Sequence, residues 1–123
     1  MGKKQSYSQT TREWAFEHGF CWRCGKRGLW PDTLEIHHFV SGSSRQKNNL
    51  ATTAMSCRGC HDDEHRNVGI GLKGWLFLKR LRDKEHYDLA EVCRVRGRAV
   101  TAITEAEIDA QWEQLESMGI KVQ

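Results

Sequence analysis

The sequence predicts a small α+β domain stapled by a metal ion, and three observations carry that prediction. Four of the five cysteines fall into two Cys-x-x-Cys pairs, Cys21/Cys24 and Cys57/Cys60. The segment 34–40, Leu-Glu-Ile-His-His-Phe-Val, alternates with the period of a β-strand. The second half instead repeats its apolar residues at helical spacing. A length of 123 residues suits one domain over 1–123, and 38% hydrophobic residues leave a thin core that profits from a staple.

The elements follow in order. Thr10-Thr11-Arg12-Glu13 reads as a capping box opening a short first helix, with Gly19 as its stop. Residues 20–26 form a tight turn that presents two thiols. The strand at 34–40 is followed by a small and polar loop at 41–49, and 50–55 can return as a second strand. Cys57-Arg58-Gly59-Cys60 makes a second thiol turn. It runs into His61-Asp62-Asp63-Glu64-His65, expected to be helical with its acids in the first turn, where the helix dipole favours them. Gly69 and Gly71 punctuate, and helices are expected over 72–81 and 87–95. Thr104 and Glu107 complete a capping box, with Ile103 and Ile108 as its hydrophobic staple. Ile108, Trp112, Leu115 and Met118 then line one face of a last helix. The domain thus has a core at about 20–68 and a helical extension at about 72–120.

Charge and hydropathy exclude some classes. No apolar run approaches the roughly 18 residues a membrane span needs. The basic N-terminus, Met1-Gly2-Lys3-Lys4, is followed by no apolar stretch of a signal peptide, so a cytoplasmic location is expected. There cysteines bind metal or do chemistry more often than they form disulfides. A net charge of +3 identifies no partner, but its distribution is uneven. Residues 1–30 carry six Lys/Arg against two Glu, and residues 72–98 carry eight Lys/Arg against four acids. Residues 105–121 reverse the balance, with five acids against one base. A polyanion would be drawn to the first and second of these stretches.

Two Cys-x-x-Cys turns supply four thiolates, enough to close a tetrahedral Zn²⁺ site. The short spacing lets the backbone amides of each turn face its sulfurs, and Gly25 suits a positive φ directly after the first pair. A closed four-cysteine site is structural, because no position is left for a substrate. Cys93 has no partner in this scheme and reads as a small buried hydrophobe on a helix.

Four of the six histidines gather around the second turn: His37, His38, His61 and His65. His61 and His65 stand i,i+4, so on a helix they share a face and can share a metal. His37 and His38 are adjacent on a strand and start toward opposite faces, so one can bind a metal while the other does something else.

The run Glu35-Ile36-His37-His38, then Asn49-Leu50, then Cys57-x-x-Cys60-His61-x-x-x-His65 resembles the signature of the HNH nucleases. The likeness spans roughly residues 21–66 and is to the version of the ββα-metal fold braced by two Cys-x-x-Cys knuckles. The Glu-x-His-His and His-x-x-x-His stretches also resemble the colicin-type DNases. Small stand-alone proteins of this kind are frequent in phages and prophages. The resemblance implies His38 as general base, His37, His61 and His65 as ligands of one catalytic divalent metal, and Asn49 as the residue that pins the loop and helps orient His38. Neighbouring Asn48 is an alternative for that asparagine, although Leu50 favours Asn49. The stretch from Asn49 to Cys57 is about three residues longer than the family spacing. A phosphate-contacting arginine is not assigned, with Arg45, Arg58 and Arg66 as candidates, and Glu35 either orients a neighbour or faces solvent.

The implied chemistry suits these residue types. A neutral imidazole is a competent base near neutral pH, and three imidazoles leave coordination positions open for phosphate and water. They would accept Zn²⁺, Ni²⁺, Co²⁺ or Mn²⁺, whereas Mg²⁺ prefers oxygen ligands. The expected function is DNA endonuclease or nickase, with RNA not excluded by the motif. The rival is a zinc-stapled nucleic-acid-binding or accessory module without catalysis, which would have no use for His38, Asn49 and His65 together. Oligomeric state stays open.

Overall fold

A computed structural model describes residues 7–40, 47–97 and 99–122. The chain runs α1 (Gln9–Glu17), β1 (Leu34–His38), β2 (Thr53–Cys57), α2 (Arg58–His65), α3 (Gly71–Arg82), α4 (Leu89–Arg96), α5 (Glu105–Asp109) and α6 (Trp112–Ser117), with 3₁₀ turns at Leu50–Thr52 and Lys84–His86. β1 and β2 pair antiparallel, with Leu34 opposite Cys57 and His38 opposite Thr53. Strand, strand and α2 therefore follow one another as the sequence expects of a ββα unit inside an α+β domain.

Several boundaries differ from the sequence reading for local reasons. Ser8 rather than Thr10 caps α1, accepting from the Thr11 amide, and this frees Thr11 to be buried. The second strand starts at Thr53 because Asn49 caps a 3₁₀ turn over Leu50–Thr52. That turn is as long as the three-residue excess between Asn49 and Cys57. α2 begins at Arg58, so its acids do not occupy the first turn as expected. They make cross-links instead. Glu64 Oε2 and Oε1 accept from the backbone amides of Ile70 and Gly71 at 2.7 and 3.1 Å, capping α3, which has no side-chain cap of its own. Gly69 passes so close to the Glu64 carboxylate that a Cβ there would collide with it.

The expected single C-terminal helix is two short ones, broken at Ala110 and Gln111. The capping box of Thr104 and Glu107 forms as expected, and Ile103 and Ile108 are both buried. Leu115 alone of the last three apolar positions is buried. Trp112 and Met118 are 42% and 40% exposed and are not core. One apolar cluster joins the two halves of the chain, with Trp14, Trp22, Leu34, Met55, Trp75, Leu78, Ile108 and Leu115 among its members. α3 lies at its centre, packed against β2 and α5.

A polar pair is sealed inside this core. Lys79 is 0% exposed, and its ammonium lies 4.9 and 5.4 Å from the ring centres of Trp14 and Trp22. It donates to Asp83 at 2.7 Å, and the same carboxylate accepts from Trp14 Nε1 at 2.8 Å and sits 3.0 Å from His86 Nδ1. Burial pulls Lys79 down to about 8 against the opposing charge of Asp83. Burial would raise the Asp83 carboxyl, but the Lys79 charge and the three hydrogen bonds outweigh it and hold the group below its ordinary range.

Part of the basic stretch at 72–98 is neutralised within the fold. Arg80 bridges Glu105 and Asp109, Lys73 pairs with Glu107, and Arg94 pairs with Glu91. The acidic segment thus meets two of its cations, Lys73 and Arg80. Arg98 lies outside the described residues. Cys93 is half-buried on α4. Among the described residues no helix is long and apolar enough to cross a membrane.

Candidate active site and metal centre

The two knuckles meet because β1 and β2 bring Leu34 opposite Cys57, while the Trp22 amide donates to the Met55 carbonyl at 2.9 Å. In the first knuckle Gly25 donates to the Cys21 carbonyl at 2.9 Å and takes a φ of +80°, the backbone state expected of a glycine there. The donor atoms of Cys21, Cys24, Cys57 and Cys60 all lie within 4.8 Å of one another, and Cys24 and Cys57 approach to 3.7 Å. Four sulfurs ~2.3 Å from one ion in a tetrahedron stand ~3.8 Å apart. The cluster fits a structural zinc.

Without an ion, the buried thiols of this cluster disfavour one another's charge. Burial pushes Cys21 and Cys60 up, and their thiol neighbours push Cys60 further in the same direction. Backbone amides oppose this at Cys21, with those of Arg23, Cys24 and Cys57 favouring its thiolate. At the exposed Cys24, hydrogen bonds from the Lys26 amide and the other thiols overcome a burial that would raise it. A divalent cation at the centre reverses the repulsion that four converging thiolates would otherwise feel.

The histidines form a second, looser cluster. The His37 ring lies 4.7 Å from that of His61, and His61 lies 4.9 Å from His65. Among the described residues the cysteines are the group whose donor atoms close tightly, whereas these three rings are neighbours. Burial falls off along the row: His37 is buried against Trp75, His61 is half-buried and His65 is exposed. His37 Nδ1 is buried and has no hydrogen-bond partner, an orphan that a metal would satisfy. His61 Nδ1 lies 2.7 Å from Glu35 Oε1, which leaves Nε2 as the nitrogen available to a metal. Arg58 braces the other Glu35 oxygen at 3.1 Å. Glu35 therefore orients a neighbour.

Burial lowers His37 to about 3, helped by the nearby charges of His61, His38 and His65, so it is neutral and able to ligate. His38 leaves the other side of β1. Its ring is stacked on Tyr7 at 6.3 Å, and its Nε2 is 3.3 Å from the Lys47 carbonyl. A carbonyl can only accept, so Nε2 carries the proton and Nδ1 keeps its lone pair. Burial lowers His38 as well, the bond to Lys47 partly offsets this, and charge on His61 lowers it further.

Asn49 Oδ1 accepts from the Ala51 amide at 3.1 Å, and Nδ2 donates to Glu91 on α4 at 2.7 Å. It thereby ties the loop that follows Lys47 to the helical half. Asn48 Oδ1 accepts from the Ser8 amide. Of the candidate arginines, Arg58 pairs with Glu35, Arg66 pairs with Asp63, and Arg45 lies outside the described residues. Sequence reasoning missed Tyr7, Lys47 and Glu91, none of which belongs to a local motif.

A cleft of about 210 Å³ opens beside His61, bordered by Tyr7, Trp30 and Glu35. A shallower groove of about 540 Å³ runs past His65 and Arg66. In comparisons with known proteins, residues 21–67 match a family model described as HNH endonuclease. No curated protein and no solved structure matches the chain.

Proposed function

We propose that this protein hydrolyses phosphodiester bonds in DNA with His38 as general base, a reading supported by the match of residues 21–67 to a family model described as HNH endonuclease. The carrying observation is the orphaned, buried His37 Nδ1 beside a His61 already oriented by Glu35, with exposed His65 completing the row. That nitrogen has no hydrogen-bond partner among the described residues, and the exposed end of the row leaves space for a substrate.

His37, His61 and His65 would hold one divalent cation, which when bound supplies Lewis-acid stabilisation of the phosphate and of the departing oxygen. Glu35 keeps His61 in the tautomer that ligates through Nε2. His38 accepts the proton of the attacking water at Nδ1, while its Nε2–H stays on the Lys47 carbonyl. Asn49 holds the Lys47 loop in place through Ala51 and Glu91, so it positions the base indirectly. Zn²⁺, Ni²⁺, Co²⁺ and Mn²⁺ suit three imidazoles better than Mg²⁺ does. The four cysteines stay structural.

The test is nicking of supercoiled plasmid in EDTA and in each of these metals, beside His38→Ala. Metal-dependent nicking that falls about 100-fold or more in the variant, with zinc content unchanged, is the expected result. A protein that binds DNA but cuts with no metal would instead be the zinc-stapled binding module.

A further inference from the structure

The basic residues divide into those answered by carboxylates and those that are not. Lys73, Arg80 and Arg94 of α3 and α4 meet acids of α4 and α5. On the outer side of the first zinc knuckle, a cavity of about 410 Å³ is lined by Arg23, Arg27, Arg82, Lys121, Phe20 and the exposed Cys24, and no carboxylate lines it. Arg23 pairs with Asp63 at 3.0 Å, while Arg27, Arg82 and Lys121 form no ion pair among the described residues.

Arg82 is built into place. Its Nε donates to the Trp22 carbonyl at 3.1 Å and its Nη2 to the Lys121 carbonyl at 2.7 Å, with the guanidinium 5.8 Å from the Phe20 ring centre. Two of its five N–H groups are engaged, so three remain to donate from a fixed plane. A guanidinium held in this way matches the oxygens of a phosphate better than a mobile surface lysine does. Arg27 and Lys121 are exposed beside it. Zinc bound by four thiolates keeps a net charge of −2, but only Cys24 of the four lines the cavity, and the three unpaired cations exceed that charge.

We propose that this cavity is a second nucleic-acid site, holding a backbone phosphate of the substrate strand at a distance from the bond to be cut. It rests on the nuclease reading above. Arg23 links this cavity to α2: it lines the cavity and pairs with Asp63, which also lines the groove that runs past His65 and Arg66. A strand lying in that groove would reach the cavity past Arg23 and be anchored there through its backbone.

The experiment is fluorescence anisotropy of a labelled 20-base-pair duplex against the zinc-loaded full chain, without added divalent metal so that no cutting occurs. The variant is Arg27→Gln with Lys121→Gln, which leaves Arg82 and its carbonyl bonds intact. The expected result is affinity weakened at least about tenfold at 0.1 M salt, with the slope of log affinity against log salt flatter by roughly 0.9, the contribution of the one phosphate no longer neutralised. An unchanged slope and affinity overturns the proposal. So does an unchanged slope with lower zinc content, which would make these cations counter-charges for the thiolates. Loss of inorganic phosphate binding by calorimetry with duplex affinity intact also overturns it, in favour of a free-anion site. Plasmid nicking scores the nuclease reading separately, so a chain that nicks yet fails the binding test has lost only the pocket.

Discussion

Residues 21–67 surround two five-residue strands with four sulfurs and four histidines, whereas residues 71–122 fold four helices around tryptophan, leucine and isoleucine side chains. The first region gathers the four thiols and the row of histidines, and its apolar members belong to a core whose other members lie in the second. The second region carries the buried Lys79–Asp83 pair, which packs against Trp14 and Trp22, and pairs Arg80, Lys73 and Arg94 at its surface. The difference teaches what each half brings to the fold. One brings a donor set that fits a structural zinc, the other packing and charge pairs of its own.

The strongest break of this comparison is Cys24→Ala. Cys24 is exposed, so its loss removes little apolar burial and reads the metal alone. Structural zinc supplies roughly 10–16 kcal/mol in small zinc-finger peptides, and losing one of four ligands forfeits a large part of that. Guanidinium unfolding with and without a chelator should show the variant as unstable as the stripped wild type. Equal stability of variant and wild type, both zinc-replete, would mean the cluster holds no metal that matters.

Asp83→Asn should come next, at about 3–5 kcal/mol, because it leaves the Lys79 ammonium buried without its counter-charge. Since the folded state holds Asp83 below its ordinary value, its contribution is present above the unfolded carboxyl value near ~3.9 and is lost as the pH falls through the folded one. Urea melts of the two proteins should therefore begin to draw together below about pH 4 and converge only once the pH has passed the depressed folded value, with acid effects on the thiolates common to both. A gap that persists at low pH would point to packing rather than charge.

The smallest effects sharpen the boundary of the second region. Thr104→Ala should lose about 1 kcal/mol, the worth of an N-cap. Trp112→Ala should lose less than that, although a buried tryptophan truncated in this way typically loses 3–5 kcal/mol. A loss in that higher range, read by thermal melting, would put Trp112 back in a core or in an interface between copies of the chain.

Much of the candidate site was legible because its signals are local. Spacing alone joins Cys21 to Cys24, Cys57 to Cys60, and His61 to His65, since turn and helix geometry act over four residues. The Thr104–Glu107 box is legible for the same reason. Two helix-phase readings failed where that locality ends: α1 is capped two residues earlier than Thr10, and past the break at Ala110 and Gln111 both Trp112 and Met118 are exposed.

The sequence by itself determined the four-sulfur cluster, the histidine-rich strand and helix, and the helical character of the second half. Tertiary structure alone decided where the long-range partners fell. It set Glu64 on the amides that open α3, Asn49 on Glu91, Glu35 on His61, and the acids after residue 104 on the cations of α3. Charge counts along a chain give the sum of its charges, but a charge is neutralised by whatever lies a few ångströms away in space. That is why Lys73, Lys79, Arg80 and Arg94 of the basic stretch are paired off, while its Arg82 stands with Arg27 and Lys121, drawn from distant segments, in a cavity that no carboxylate lines.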